Sequence, residues 1–297
     1  MTGLFPTHPA LKKLKPMTIS YWNGRYLPLD EVHVSPLDRG FLFADGLYEV
    51  TAAYNGRLFE PEAHIARLQR GMASLRIDTG LSAGDWLAIM ERLAADSGIA
   101  GDLTVYLQVT RGAAASRGHG FPAGVAPSVF GMTSPLKRPP AAWREQGVAA
   151  ITIPDIRWLR CDLKSIALLG SVLAQQAATD AGVVDAIQLR DGVVTEGAAT
   201  NVFVVKDGAV ATPANDSRIL EGITRTVILR LAAEHGLALE ERDVAAAELD
   251  AADEIWIAST TKEITPVTRL NGKPVGTGAP GPVWRRLFPL FAERLGR

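Results

Sequence analysis

Lys164 closes the stretch Asp155-Ile-Arg-Trp-Leu-Arg-Cys-Asp-Leu-Lys-Ser165 and is the only lysine between Lys137 and Lys206. An amine taken out of water loses basicity and becomes a nucleophile. In solvent the same residue is an ordinary charge with its stem laid over apolar surface. Glu196 lies in Thr195-Glu-Gly-Ala-Ala-Thr-Asn-Val-Phe203, between two strand-like runs and beside a glycine. An acid in an apolar turn needs a partner. A protein cation, Arg190 or Arg225, would serve, and so would a protonated ring nitrogen on a ligand. Spacing alone favours the protein cation.

A second group of residues suits an anion. Gly222-Ile-Thr-Arg225 stands directly before a helical run that ends at His235. Free backbone N–H groups at a helix start, with the Thr224 hydroxyl, attract negative charge. The alternative is a plain N-cap in which Thr224 satisfies the helix end and nothing binds. Ser259-Thr-Thr261 follows an apolar strand and can add hydroxyls to the same place. His64-Ile-Ala-Arg67 puts two cations one helical step apart on one face, which is either a binding pair or a solvated stripe. Arg117-Gly-His119 sits in a glycine- and alanine-rich loop, 112–124, and two such donors suit a carboxylate, unless the loop is simply solvated. Walker and HExxH patterns do not occur, so the common NTPase and zinc-protease sites lack their parts.

These residues need a scaffold of mixed elements. Asn23-Gly24 and Asn55-Gly56 each join short apolar runs, Ile19 to Leu27 and Leu47 to Phe59, as hairpins. Helices are expected from Pro61 to Arg70, near Asp85 to Asp96, from Ser165 to Ala181, from Thr224 to His235 and from Trp284 to Leu295. The helix behind Lys164 carries Ile166, Leu169, Val172 and Leu173 at helical spacing and reads as buried. Strands are expected at Leu103 to Thr110, Val125 to Thr133, Val148 to Ile153, Ala186 to Arg190, Val193 to Thr195, Asn201 to Lys206 and Asp253 to Ser259.

The order of these elements is α+β in two lobes. A smaller N-terminal domain spans 18–135, a proline-rich linker 134–142, and a larger C-terminal lobe 143–297 carries the lysine. Residues 1–17 hold three prolines and three lysines without an apolar core, so they read as an extension rather than a secretory signal. The chain has 297 residues, 47% hydrophobic and 21% charged, with a net charge of -1. That balance favours neither nucleic acid nor an anionic membrane as partner, and no apolar run has the length of a membrane span. Cys161 is the only cysteine, which excludes an internal disulfide and a cysteine metal cluster. No metal is expected, and the cytoplasm is the default location.

Taken in order, the segments resemble the fold-type IV pyridoxal-phosphate enzymes, and within them the D-amino-acid aminotransferases. The resemblance rests on Asp38-Arg-Gly-Phe-Leu-Phe-Ala-Asp-Gly-Leu-Tyr-Glu-Val50, His64-Ile-Ala-Arg-Leu68, the Asp155–Ser165 stretch, Thr195-Glu-Gly197, Gly222-Ile-Thr-Arg225 and Ser259-Thr-Thr-Lys-Glu-Ile-Thr-Pro266. It covers nearly everything after the first 17 residues. It implies a two-lobed architecture of this type, with a barrel-like C-terminal lobe, and a ping-pong transaminase that moves an amino group between a D-amino acid and a 2-oxo acid, for example D-alanine and 2-oxoglutarate. By the resemblance Lys164 forms a Schiff base with pyridoxal 5'-phosphate and moves the proton, and Glu196 faces the pyridine nitrogen. Arg67, Ile223, Thr224 and Thr260 hold the phosphate, and Leu220 lies against the cofactor. Tyr48, Arg117, His119 and Thr261 take the substrate, with the Arg117–His119 loop supplied by the neighbouring subunit of a homodimer. Departures are a loop after Gly112 that is one residue longer than usual, and Ala198, Ala199 and Thr200 where the family often carries serines. Rival readings within the fold are an (R)-amine or branched-chain L-amino-acid transaminase, and a lyase like aminodeoxychorismate lyase.

Overall fold

Two sheets divide the chain in sequence order. The computed structural model describes residues 19–296. The extension expected at 1–17 lies outside the described residues. The first sheet has six antiparallel strands: β1 (Ile19–Trp22), β2 (Arg25–Pro28), β3 (Gly46–Tyr54), β4 (Arg57–Leu58), β5 (Leu103–Thr110) and β6 (Ser128–Pro135), in the order β2-β1-β6-β5-β3-β4. Both Asn-Gly hairpins form as expected. Asn23 and Gly24, like Asn55 and Gly56, sit at positive φ, the geometry that two-residue hairpins with right-handed twist require. β5 alternates as its sequence dictates, with Leu103, Val105, Leu107 and Val109 all turned inward.

Two helices cover that inner face: α2 (Pro61–Leu75) and α3 (Ala83–Ala95). They bury Ile65, Leu68, Met72, Trp86, Ile89, Met90 and Leu93 against β5 and its neighbours. α2 runs one turn beyond the expected Arg70, because Met72 and Leu75 still find core to pack on. A short α1 (Arg39–Phe43) precedes β3. The last strand of this sheet is shifted towards the C-terminus from the expected Val125–Thr133. Ser134 and Pro135 therefore belong to β6, and α4 (Ala141–Gln146) starts inside what reads as linker. The reason is register: Ser134 and Pro135 pair with Thr104 and Leu103, so the neighbouring strand extends the edge past the point where local composition turns loop-like.

The second sheet is mixed. Its strands are β7 (Val148–Pro154), β8 (Asp185–Arg190), β9 (Val193–Val194), β10 (Asn201–Lys206), β11 (Ala209–Thr212), β12 (Leu239–Glu241), β13 (Glu254–Ser259), β14 (Glu263–Leu270) and β15 (Lys273–Pro274). The order is β12-β11-β10-β13-β14-β7-β8-β9, with β15 on β14. Val193 at the β9 edge forms a bridge with Ala245, in the segment that follows β12. One face packs on α6 (Ile223–Glu234) and, after the short α7 (Ala246–Asp250), on α8 (Pro282–Arg294), with Phe203, Trp256, Ile228, Leu231 and Phe291 in the core. Ala52 and Tyr54 of β3 join the same core, so the two lobes share packing.

The element behind the lysine differs from expectation. The helix α5 (Leu169–Asp180) begins four residues after Ser165. Residues 164–166 instead lie alongside the start of β3: Tyr48 N–H donates to Lys164 O (2.9 Å), Leu47 bridges Ser165, and Ile166 N–H donates to Gly46 O. Long-range backbone pairing wins over local helical spacing here. Nor is α5 buried as its pattern suggested. It packs through small residues, Ala174 and Ala178, while Leu169, Val172 and Leu173 are 72%, 58% and 50% exposed. Among the described residues no helix is long and apolar enough to cross a membrane.

Candidate active site

The junction of the two lobes encloses a cleft of about 320 Å³. Lys164, Glu196, Arg67, Leu220, Ile223, Thr224, Thr260 and Tyr48 all line it. Residues spread over more than two hundred positions of sequence thus meet in one place. Lys164 enters from the segment pinned to β3, and its Nζ lies 4.2 Å from the centre of the Tyr48 ring. Among the described residues Lys164 makes no ion pair. Tyr48 in turn stacks on Tyr106, 5.8 Å between centroids.

Glu196 is almost fully buried. Its partner is neither Arg190 nor Arg225, which corrects the expectation from spacing. Arg157 is ion-paired with one carboxylate oxygen, and the Leu220 N–H donates to the other (2.9 Å). Arg190 pairs with Asp155 (3.0 Å), and Arg225 with Glu241 (2.6 Å). Arg157 also grips Asp155 through Nε and Nη2, so one guanidinium ties two acids together. Burial pushes the Glu196 carboxyl above the ordinary carboxylate range, and the Arg157 charge and the Leu220 N–H pull against it. Nothing in local spacing marked Arg157, although it stands only two residues after Asp155 in the stretch that carries the lysine.

The anion end is assembled by α2 and α6. Gly222 is the N-cap of α6 and offers no side-chain acceptor, so among the described residues the first N–H groups, at Ile223 and Thr224, have no N-cap side chain bonded to them. Thr224 is therefore within the first turn and not a capping residue. A side chain at 222 is excluded by packing, since a Cβ there would lie 2.0 Å from Asn201 Oδ1. Arg67 is held by Glu49, which accepts from Nε (2.7 Å) and Nη2 (2.8 Å), and by Glu221 O, which accepts from Nη1 (2.6 Å). Three of its five N–H groups are used, and two remain.

His64 lies beside Arg67 on the same carboxylate: Nδ1–H donates to Glu49 Oε2 (2.8 Å). His64 and Arg67 are thus a buried pair and not a solvated stripe. Burial acts to raise the Glu49 carboxyl, and Arg67 and His64 overcome it, leaving the carboxyl well below the usual range. Burial also lowers the His64 imidazole, with Arg67 and Lys164 adding to the effect and Glu49 opposing it. Glu49 stands one residue after Tyr48 in a strand buried on both faces, and its role had no local signature.

Behind the Glu196 turn, Asp185 is fully buried and accepts from Ala198 N–H (3.0 Å), Thr200 Oγ1 (2.9 Å) and Lys262 Nζ (2.8 Å). The Thr200 hydroxyl is committed to that acid, and the two alanines leave an apolar wall on the cleft. Arg117, His119 and Thr261 do not line the cleft of their own chain, and all three are exposed.

An amine, an acid beside it in one cleft and a set of unmatched N–H and hydroxyl donors fit pyridoxal phosphate: an aldehyde, a ring nitrogen and a phosphate dianion. Fold and cleft together define the class as the fold-type IV pyridoxal-phosphate enzymes. The amino-transferase class IV model matches residues 46–270, and the chain belongs to that family. It is 44% identical over 266 residues to a D-alanine aminotransferase of Bacillus licheniformis, covering 90% of this chain and 93% of that one. It is 39% identical over 274 residues to a D-alanine aminotransferase of Staphylococcus aureus strain COL, covering 92% and 96%. Among solved structures it is similar to the branched-chain amino acid aminotransferase of Escherichia coli, with a TM-score of 0.88, 26% identity and coverage of 93% and 94%.

Proposed function

We propose that the protein is a pyridoxal-phosphate transaminase that exchanges an amino group between a D-amino acid and a 2-oxo acid, D-alanine and 2-oxoglutarate among them. The observation that carries this reading is that Lys164, Glu196 and the uncapped start of α6 line a single cleft. The relatives at 39–44% identity, both D-alanine aminotransferases, support the D-amino-acid assignment.

When bound, the cofactor supplies an aldehyde for the amine and a ring that withdraws electrons from the substrate Cα. Lys164 would bind the aldehyde and serve as the base that holds the proton taken from the substrate Cα. Glu196 would hold a proton on the ring nitrogen, with Arg157 keeping the carboxylate in place. Arg67, the N–H groups of Ile223 and Thr224, and the Thr260 hydroxyl hold the phosphate. Leu220 presents its N–H to Glu196 and its side chain to the cleft.

Tyr48, Arg117 and His119 bind the substrate α-carboxylate, with Thr261 nearby, and the Arg117–His119 loop comes from a second copy of the chain. Two features support a homodimer. The loop lies outside its own cleft, and Trp158, Leu168, Leu169, Val172 and Leu173 leave large apolar surface exposed around the cleft that holds Lys164. The cytoplasm suits a chain with a single cysteine.

The structural likeness to branched-chain aminotransferases favours a second reading, transamination of L-leucine and its kin. Half-reactions of the holoenzyme with D-alanine, L-leucine and (R)-1-phenylethylamine, followed by cofactor absorbance, separate the two. Turnover with D-alanine is expected, and a preference for L-leucine overturns the D-assignment. Lys164→Ala should lose both the lysine-linked absorbance band and transamination. Light scattering of the purified protein tests the dimer, and a monomer at assay concentration with full activity would sink it.

A further inference from the structure

The motif Asp38 to Val50 is the longest of those that mark this chain, yet the cleft uses only its C-terminal half. Its first half is built around the loop 112–124. Asp38 accepts from Ser128 Oγ (2.6 Å) at the start of β6, and Arg39 N–H donates to Gly112 O (2.9 Å), so the chain on either side of the loop is tied to the start of α1. The Arg39 side chain, 4% exposed, reaches the loop's tip. Its Nη1 donates to Gly118 O (2.5 Å) and its Nη2 to His119 O (3.1 Å). Its Nε donates to Asp45 Oδ2 (2.7 Å), and Asp45 is fixed from the other side by Arg111 (2.8 and 2.9 Å).

The loop has no regular structure of its own. A segment of that kind is held in one conformation only by what its backbone is bonded to. Two consecutive carbonyls, those of Gly118 and His119, are gripped by one planar fork whose third arm is anchored. Aromatic contacts complete the brace. The Phe43 ring lies 4.9 Å from the Arg39 guanidinium carbon, 4.9 Å from that of Arg117 and 5.2 Å from the His119 ring. Arg111 lies 3.5 Å over the ring of Phe121, at the loop's far side. The side chains of Arg117 and His119 themselves remain exposed.

We propose that Arg39, anchored by Asp45, is a positioning residue that fixes the Gly118–His119 backbone and thereby aims Arg117 and His119 at the substrate carboxylate in the neighbouring protomer's cleft. This rests on the carboxylate-binding reading of Arg117 and His119 given above. Arg39 touches neither cofactor nor substrate. It lowers the cost of binding by removing the freedom the loop would otherwise lose when a carboxylate arrives. A lysine at 39 keeps the charge beside Asp45 but cannot span both carbonyls and the acid at once.

The test compares holoenzymes carrying R39A, R39K, R117A and R39A/R117A for KM and kcat with D-alanine, and for bound-cofactor absorbance. Weakening a hydrogen bond to a charged group corresponds to about 10- to 100-fold in binding. R39A is expected to raise KM for D-alanine by that factor, with cofactor absorbance at the wild-type level and kcat within about threefold. R39K falls between, and R39A/R117A is no worse than R117A, since both variants remove one contact. If R117A leaves KM unchanged, the carboxylate reading itself is wrong. If R117A raises KM but R39A does not, or if the two penalties add in the double variant, the carboxylate reading stands and the positioning role of Arg39 is refuted. Should R39A not assemble, R39K carries the same comparison.

Discussion

Replacing Glu49 by glutamine removes the negative charge on which Arg67 and His64 converge. Glu49 is 1% exposed, and its two oxygens accept three hydrogen bonds from those side chains. The amide keeps one acceptor oxygen but turns an NH₂ group towards Arg67 N–H groups, so one bond becomes a donor facing a donor. Arg67, 7% exposed, then keeps only Glu221 O as an assured partner. Breaking a buried pair by removing one partner costs about 3–5 kcal/mol, and the surviving oxygen places this case near the lower end. At roughly 2–4 °C per kcal/mol for chains of this size, the apoprotein should melt roughly 6–12 °C lower. Cofactor affinity should fall as well, because an unbraced guanidinium no longer points its two spare N–H groups at the phosphate. A dianion supplies the missing counter-charge, so saturating cofactor or inorganic phosphate should recover part of the lost melting temperature. Calorimetry of apo and holo forms with cofactor titration reads both effects. A Glu49→Gln protein that melts within about 1 °C of wild type and binds cofactor equally well would refute the account of Arg67.

Three further outcomes are expected. His64 is held below its ordinary range by burial, so the unfolded chain takes up its proton first as pH falls, and the stability this neutral imidazole contributes is lost from about pH 6.5 downward. His64→Asn should therefore flatten the fall in melting temperature between about pH 7 and pH 5, and an unchanged slope would exclude His64 as its source. Arg157→Met leaves Glu196 buried with only the Leu220 N–H, which strengthens the burial effect that already raises this carboxyl. Its acid limb in the pH profile of kcat should move to higher pH while bound cofactor remains, and a limb that stays in place removes Arg157 from the support of Glu196. Gly222→Ala places a methyl group against Asn201 Oδ1 at the start of α6 and should weaken cofactor binding about 5- to 150-fold, by roughly 1–3 kcal/mol of overpacking, as read by fluorescence titration.

The residues that touch the cleft were largely legible one by one, since each sits in a short pattern with its own chemical logic. Lys164, Glu196, Arg67 and the start of α6 were all named from such patterns, and the structure brings them together. What supports them was not legible. Glu49 and Arg157 are charged residues among many, and only the crossing of β3 with α2, and of the lysine stretch with the Glu196 turn, gives each its partners. Choosing between Arg157, Arg190 and Arg225 as the partner of one acid requires knowing which guanidinium the topology delivers to it.

By itself the sequence determined the hairpins, the alternating strands and, α5 excepted, the approximate helix starts, because these follow from dihedral preferences and periodicities within a few residues. Tertiary structure alone decided that 164–166 would pair with β3 instead of joining α5, and that the large apolar side chains of α5 would face outward around the cleft. It also decided that Arg39 would reach eighty positions along the chain to hold two carbonyls. Periodicity says that a side chain shares a face with its neighbours. Only the packed chain says what lies opposite that face.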